Sequence, residues 1–270
     1  MKKDELIKIL EDRNGIPISG QEIAEKFSVS RNAIWKMIKA LRSEGYNIEA
    51  KTNNGYYIPQ DSDYISEYEI RKKFPDRIKK LPITIFRQID STNSEARRRM
   101  LSSDCPEQLL IACEQTRGRG HAEHVFYSPA DNGIYLTLIY KMKNPADDAE
   151  TVTLKTAAAI VSVIEMYSSD KVEIKYMNDV YSGGKKACGV LTEGITDFET
   201  GNIEKFAVGI GINLSTKGLP EEIKLTAGAI DIGAVKKNEF IACLVTTLID
   251  FYDCITDNKY IEIYNSHLMK

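Results

Sequence analysis

At Ile83 the hydrophobic period of this chain changes, and that change limits what it can fold into. Up to residue 60, apolar residues recur at helical spacing and then fall into two short β runs. From Ile83 onward, alternating strands are interleaved with long apolar helices. Two periods in succession mean two modules of different class, and 270 residues are enough for both. The expected divisions are 1–60 for a winged helix-turn-helix, 61–81 for a linker and 82–270 for a larger α+β domain.

The front module can be read from its caps. Leu6, Ile7 and Leu10 form the stripe of a first helix, which Gly15-Ile16-Pro17-Ile18 ends. Ser19, with Glu22 three residues on, is a capping-box start for a helix to Phe27. Ser30 then caps a helix over Arg31–Arg42, with Ala24, Ile34 and Leu41 as its inward contacts. Small Ala24 lets the two helices cross closely. The second helix carries Arg31, Lys36, Lys39 and Arg42 and no acid. With Ser30 and Asn32 it offers the donors that reach phosphates and base edges. The segment from Gly45 to Ile58 reads as a β-hairpin wing around an Asn-Gly turn, with Lys51, Asn53 and Asn54 near the tip. Net charge is −3, so contact with nucleic acid must come from this local patch. A protein-contact module with a solvated basic face is the alternative. A polar linker, Pro59 to Asp63, precedes a short helix near Glu67 to Phe74.

In the second module, Ile83–Arg87 alternates as a strand and a helix starts at Asp90-Ser91-Thr92-Asn93-Ser94-Glu95, where Thr92 and Glu95 have capping-box spacing. Ser91, Thr92 and Asn93 fit simple capping or a polar ligand headgroup equally well. Further strands are expected at Gly133–Met142, Val172–Tyr176, Lys186–Glu193 and Phe206–Leu214. Long helices are expected at about Asp148–Ser168 and Asn238–Asp257, the latter closing the chain. Several hairpins favour a mixed sheet over a doubly wound parallel one.

The apolar run Leu109–Cys113 opens into Glu114-Gln115-Thr116-Arg117-Gly118-Arg119-Gly120-His121. Glycines there let backbone N–H groups wrap a ligand, and arginines supply forked cationic donors. An anion-holding loop and a solvated turn are both open readings. Lys186 stands in an apolar strand, aimed at a pocket or at solvent. Asn178 and Asp179 are of the kind that orient Mg2+ and phosphate, or a turn. Five scattered cysteines without CxxC spacing fit a reducing compartment, three histidines make no zinc site, and the N-terminus has no apolar leader. A cytoplasmic protein is expected.

In order, the chain presents the winged module, Ser91-Thr92-Asn93, the Glu114–Gly120 loop, Lys175-x-x-Asn178-Asp179, Lys186-x-x-Gly189-x-Leu191-x-Glu193 and Gly209-Ile210-Gly211-Ile212-Asn213. This series resembles the bifunctional biotin protein ligase and biotin operon repressor family over nearly the whole chain. The resemblance implies a biotin/lipoate-ligase-like catalytic or sensor domain that joins biotin and ATP, with Mg2+, into biotinyl-5'-AMP. It implies transfer to a lysine of the biotin carboxyl carrier domain of acetyl-CoA carboxylase, and a liganded homodimer on operator DNA that represses biotin genes. By resemblance, Ser91, Thr92, Asn93, Gln115, Arg119, Gly120, His121 and Lys186 contact biotin. Lys186 and Arg119 stabilise the reacting charge. Gly118, Arg119, Asn178, Asp179 and Asn213 serve the nucleotide, with Asp179 toward Mg2+. Ser30, Arg31, Asn32, Lys36, Lys39, Lys51 and Asn53 meet DNA.

The chain departs from the family pattern at His121 for an arginine, Phe126 for a tryptophan, Tyr176-Met177 for Trp-Pro, and Ala227-Gly228-Ala229 for Ala-Thr-Ser. An SH3-like C-terminal domain, usual in the family, is expected to be absent. These departures leave two alternatives: a biotin-sensing regulator with weak or no ligase turnover, and a ligase-fold enzyme for another acyl acid such as lipoate or octanoate.

Overall fold

The computed structural model describes residues 2–13, 15–43, 45–52, 54–60, 62–102, 104–121, 124–141, 143–144, 147–196, 203–254 and 258–270. The chain divides into two units, Met1–Glu69 and Ile70–Lys270.

In the first unit, helices α1 (Lys2–Asp12), α2 (Gly20–Phe27) and α3 (Arg31–Ser43) are followed by the antiparallel strands β1 (Glu49–Lys51) and β2 (Gly55–Tyr57). Each cap acts as its sequence demands. Ser19 Oγ accepts from Glu22 N at 3.0 Å, and Ser30 Oγ accepts from Ala33 N at 3.2 Å. Between α2 and α3 the chain reverses through Ser28 in the left-handed region, at φ 51°. Leu6, Leu10, Ile23, Ile34, Ile38 and Leu41 close the core between the helices. The wing is tied in by Ile18, which pairs with Tyr56. A Cβ on Gly55 would lie 1.9 Å from Ile18 O, so this turn glycine is required by space as well as by its φ of 104°.

The stretch after the wing is fastened back onto α1. Tyr64 donates to Glu11, and Tyr68 Oη donates to Asp12 Oδ1 at 2.7 Å. Burial pushes the Glu11 carboxyl up to about 7, against hydrogen bonds from Ser66 and Tyr64, with Glu69 and Asp12 adding repulsion.

Helix α4 (Glu67–Lys73) spans the junction of the two units, and a single 3-10 turn, Asp76–Ile78, follows it. The second unit then runs β3 (Ile83–Phe86), α5 (Thr92–Met100), β4 (Gln108–Ala112), β5 (Gly133–Tyr140), α6 (Ala149–Tyr167), β6 (Val172–Lys175), β7 (Asp179–Ser182), β8 (Lys185–Thr196), β9 (Ile203–Asn213), α7 (Glu221–Lys224), α8 (Lys237–Asp253) and α9 (Lys259–Ser266). The strands form one seven-stranded sheet in the order β3-β4-β5-β9-β8-β7-β6. Its β3–β4 pair is parallel and its other pairs are antiparallel, as expected of a mixed sheet. The β7–β8 hairpin turns on Gly183 and Gly184, both at positive φ, where two successive left-handed residues match the strand twist.

Side chains on a strand alternate between the two faces of the sheet. Ile139 packs with Ala96 and Met100 of α5, whereas Tyr140 meets Tyr252 of α8 with ring centroids 5.6 Å apart. Helices α5 and α8 therefore cover opposite faces. Helix α6 is buried along most of its length, and Asp148 caps it by accepting from Thr151 N at 2.7 Å. Two elements differ from expectation. The chain does not close on α8, because α9 follows and plants Tyr264 against Met177, its hydroxyl donating to Met177 O at 3.3 Å. Tyr260, Ile261, Ile263 and Tyr264 of α9 have helical spacing, but Tyr264 alone of them is buried. The N-cap of α5 is Ser91, which accepts from Ser94 N, and not Thr92, whose hydroxyl is drawn inward.

Two outcomes follow from this packing. Lys155 Nζ lies 2.7 Å from Asp147 Oδ2, and both side chains are almost fully buried. Asp147→Ala strands that ammonium, and thermal denaturation is expected to show a loss of about 3–5 kcal/mol. In the first unit, the Glu11 carboxyl lies above its ordinary value of 4.5, so its contribution is complete at low pH and is lost as pH rises through about 7. Amide exchange in residues 62–69 should accelerate over that interval beyond its intrinsic pH dependence, and Glu11→Gln should remove the extra acceleration.

Candidate active site and nucleic-acid face

Gly189, Leu191, Gly209 and Gly211 line the floor of a cleft on the α5 side and belong to two rungs of the sheet. These are Leu191–Gly209–Thr137 and Gly189–Gly211–Tyr135, followed on the same face by Glu193–Ala207–Ile139, all in register across β8, β9 and β5. The i, i+2 spacing of Gly209 and Gly211 puts both on this face, and each is occupied by a different neighbour. A Cβ on Gly209 would stand 1.9 Å from Asn93 Oδ1, and one on Gly211 2.5 Å from the Phe126 ring. The glycines thus admit an amide from α5 and an aromatic wall from the loop after β4. Phe126 is steadied edge-on by Tyr135, with centroids 6.4 Å apart.

Between these walls lies an open cleft. One end is lined by Ser91, Thr92, Asn93 and Gln115, and the rim carries Arg119, Gly120, His121, Asn178 and Lys186. The expected headgroup residues form one polar network. Gln115 Oε1 accepts from Thr92 N at 2.8 Å and from Thr92 Oγ1 at 3.1 Å. Gln115 Nε2 donates to Ser128 Oγ at 2.8 Å, which donates to Phe126 O at 2.9 Å. Thr137 Oγ1 is 2.7 Å from both Thr92 Oγ1 and Asn93 Oδ1. Asn93 Nδ2 donates to Leu191 O at 3.1 Å and to Glu193 Oε2 at 3.0 Å.

The segment after Gln115 rises as a short antiparallel arm. Phe126 N donates to Gly118 O at 2.9 Å and Gly120 N to His124 O at 2.7 Å. Gly118 sits at the base, where a Cβ would lie 2.2 Å from Phe126 O, so its place is structural and not on the cleft wall. Each rim cation rests against a carboxylate. Lys186 Nζ is 2.7 Å from Asp179 Oδ1, and Arg119 holds Glu193 through both terminal nitrogens at 3.1 Å. Asn178 Nδ2 donates to Val190 O at 3.1 Å, and Asn213 Nδ2 to Gly228 O at 3.1 Å. Segment 226–228 runs alongside Lys186, with Lys186 N donating to Thr226 O at 3.0 Å and Gly228 N to Lys186 O at 2.7 Å. Asp179 and Asn213 stand beside the cleft without lining it.

Two residues that the sequence reading gave no role belong to this network. Thr137 is fully buried at the centre of the apolar strand β5, and a hydroxyl in that place was the available signal. Glu193 gains its meaning only from partners far away in the chain. The thiols are spectators, since burial pushes both Cys188 and Cys113 upward and keeps them protonated.

On the first unit, Ser30, Arg31, Asn32, Lys36, Lys39 and the wing residue Lys51 are exposed, with Trp35 standing half-exposed among the α3 residues. Lys39 Nζ lies 5.5 Å from the Trp35 ring centroid. Ser30 is already spent in part as a cap. Asn53 falls outside the described residues.

The comparisons with known proteins agree with this division. Residues 2–57 match the HTH domain model, and residues 85–213 match the model of the Biotin/lipoate A/B protein ligase family. The Bifunctional ligase/repressor BirA proteins of Bacillus spizizenii and Bacillus subtilis are each 32% identical over 240 residues, covering 88% of this chain and 73% of theirs. A biotin protein ligase structure from Aquifex aeolicus, in complex with biotin and ATP, superposes with a TM-score of 0.56 at 23% identity, over 70% of this chain and 78% of that one. At that identity it speaks for the fold.

The network generates one prediction. Thr137→Val keeps the shape but leaves Thr92 and Asn93 short of a partner. Thermal melting should register a loss of about 1–3 kcal/mol, with the secondary structure intact by circular dichroism.

Proposed function

We propose a double role for this chain, which belongs to the bifunctional ligase/repressor BirA family: it activates biotin with ATP and ligates it to a carrier lysine, and it represses transcription through its first unit. The functional modules are 1–60 for DNA, 61–81 for the linker and 82–270 for the chemistry. The observation that carries the reading is the cleft itself. A hydrogen-bonded polar network and two cations, Arg119 and Lys186, line the same cleft. Such a cleft takes a neutral, hydrogen-bonding headgroup inside and a carboxylate beside a phosphate at its mouth.

In the first step, a biotin carboxylate oxygen bonds to the α-phosphorus of ATP, and the bond from that phosphorus to the pyrophosphate oxygen breaks. In the second, the ε-amine of the carrier lysine attacks the acyl carbon, loses a proton, and AMP leaves. Both steps gather negative charge at one place, where Lys186 and Arg119 lower the barrier by fixed position more than by acid–base work. Ser91, Thr92, Asn93 and Gln115 orient the headgroup, Gly120 and His121 close the rim, Asn178 faces the nucleotide, and Asp179, Asn213 and Gly118 support that side from outside the cleft wall.

Mg2+ would neutralise phosphate charge. Among the described residues no cluster of three or more His, Cys, Asp or Glu side chains forms a cation site, and Asp179 is paired with Lys186. This donor set does not fit a resident ion, so the ion belongs with ATP as part of the substrate. The carrier is the biotin carboxyl carrier domain of acetyl-CoA carboxylase, and the liganded protein pairs as a homodimer on a palindromic operator. No helix among the described residues is long and apolar enough to cross a membrane, and the five cysteines are free, which supports work in the reducing cytoplasm.

Incubated with biotin, Mg·ATP and a carrier domain, the protein is expected to release pyrophosphate and label the carrier. Biotin binding without transfer would leave only a biotin-sensing regulator, and no binding by calorimetry would end both readings. Lys186→Ala should slow pyrophosphate release by about 10²–10³-fold, and near-normal turnover would remove that role. For DNA, Trp35 is the single tryptophan of the chain, so its emission should change on titration with a selected operator duplex. Arg31→Ala should weaken that binding and reduce the salt slope by about 1 while ligation is unchanged.

A further inference from the structure

We propose that Glu193 is the positioning residue that aims Arg119 at the acid's carboxylate; this rests on the ligase reading of the cleft. The geometry is specific. Glu193 Oε2 accepts from Arg119 Nη1 at 3.1 Å and from Asn93 Nδ2 at 3.0 Å, while Oε1 lies 3.1 Å from Arg119 Nη2. Arg97 is a more distant and more exposed neighbour, at 3.9 Å. One contact is a hydrogen bond, Arg119 Nη1 to Oε2, and the other an ion-pair contact of Nη2 with Oε1, so the carboxylate faces both terminal nitrogens and restricts where the guanidinium lies. The Glu193 side chain is only 22% exposed, so solvent screens the contact less than at an open surface.

Arg119 needs such a partner because of where it is. It belongs to the arm after Gln115, which is tied at its base where Thr116 N and Arg117 N donate to Ile89 O and Asp90 O. Beyond Arg117 the arm pairs with its own returning segment, Phe126 N donating to Gly118 O and Gly120 N to His124 O. Glu193 belongs to β8, paired in register with Ala207 in the middle of the sheet. The ion pair therefore refers a loop cation to the rigid floor of the site. Through Asn93 it also refers that cation to α5, the element that carries Ser91 and Thr92. Arg119 Nη1 and Asn93 Nδ2 thus share one oxygen of Glu193, which sets their separation. Glu193 does not line the cleft, so it acts through Arg119 and is no ligand itself.

A double-mutant cycle on the full chain tests this. Initial rates of pyrophosphate release are measured for the wild type, Glu193→Ala, Glu193→Gln, Arg119→Ala and the Glu193→Ala/Arg119→Ala pair, varying biotin and ATP separately. Glu193→Ala should raise KM for biotin about tenfold or more, with KM for ATP within about threefold. Glu193→Gln, which keeps the shape and an acceptor for Asn93, should fall between. In the Arg119→Ala background, removing Glu193 should change KM for biotin by less than about twofold. A further rise of the same size as in the wild type would show that Glu193 acts through Asn93 or through folding, and would overturn the proposal. So would Glu193→Gln with the biotin KM of the wild type. A wild type that binds biotin but releases no pyrophosphate would refute the ligase reading and this role with it.

Discussion

The second unit is organised around one side-chain amide. Asn93 reaches from the start of α5 into the gap over Gly209, where its nitrogen serves Leu191 O and Glu193 and its oxygen meets Thr137. Three strands and a helix are indexed to each other by that group. A buried amide tolerates no vacancy, because each unmet donor or acceptor costs about as much as several contacts contribute. The glycine beneath it, the threonine beside it and the acid above it are therefore consequences of one placement. The cleft is what remains open between this amide and the second intrusion, Phe126 over Gly211.

Charge is arranged by the same logic. A pocket meant for an anion has to keep cations together without the anion present. Here each rim cation has its own carboxylate, Asp179 for Lys186 and Glu193 for Arg119. The pairs differ in reach. Asp179 sits on the strand paired with that of Lys186, whereas Glu193 connects a loop to the sheet. Substrate charge entering the cleft competes with both carboxylates, and the outcome is set by differential interaction.

Much of this was legible in the sequence where the signal is local. Ser19 and Ser30 cap the helices they precede, and Gly183-Gly184 make the turn they promise, because caps and turns are decided within a few residues. The change of period at Ile83 separated a helical module from a mixed sheet for the same reason. What depended on the third dimension was less legible. Ser91 and Thr92 are both good caps, and only the presence of Gln115 and Thr137 decides which hydroxyl turns inward. Glu193 reads as one more strand residue until Arg119, 74 positions earlier, is brought beside it. Thr137 is legible in principle, as the one aliphatic hydroxyl in an otherwise apolar and aromatic strand. Helix α9 is legible in part, since Tyr260, Ile261, Ile263 and Tyr264 have helical spacing, but it spans only Lys259–Ser266.

Gly228 bears on what its position can accept. A side chain there would begin 3.0 Å from Lys185 O and 3.1 Å from Lys185 Cβ, close enough that the start of β8 would have to give way. That start also presents Lys186. A residue with a Cβ at 228 is accommodated only if Lys185 gives by a few tenths of an ångström, next to Lys186. Gly228 thus keeps segment 226–228 in close contact with the start of β8.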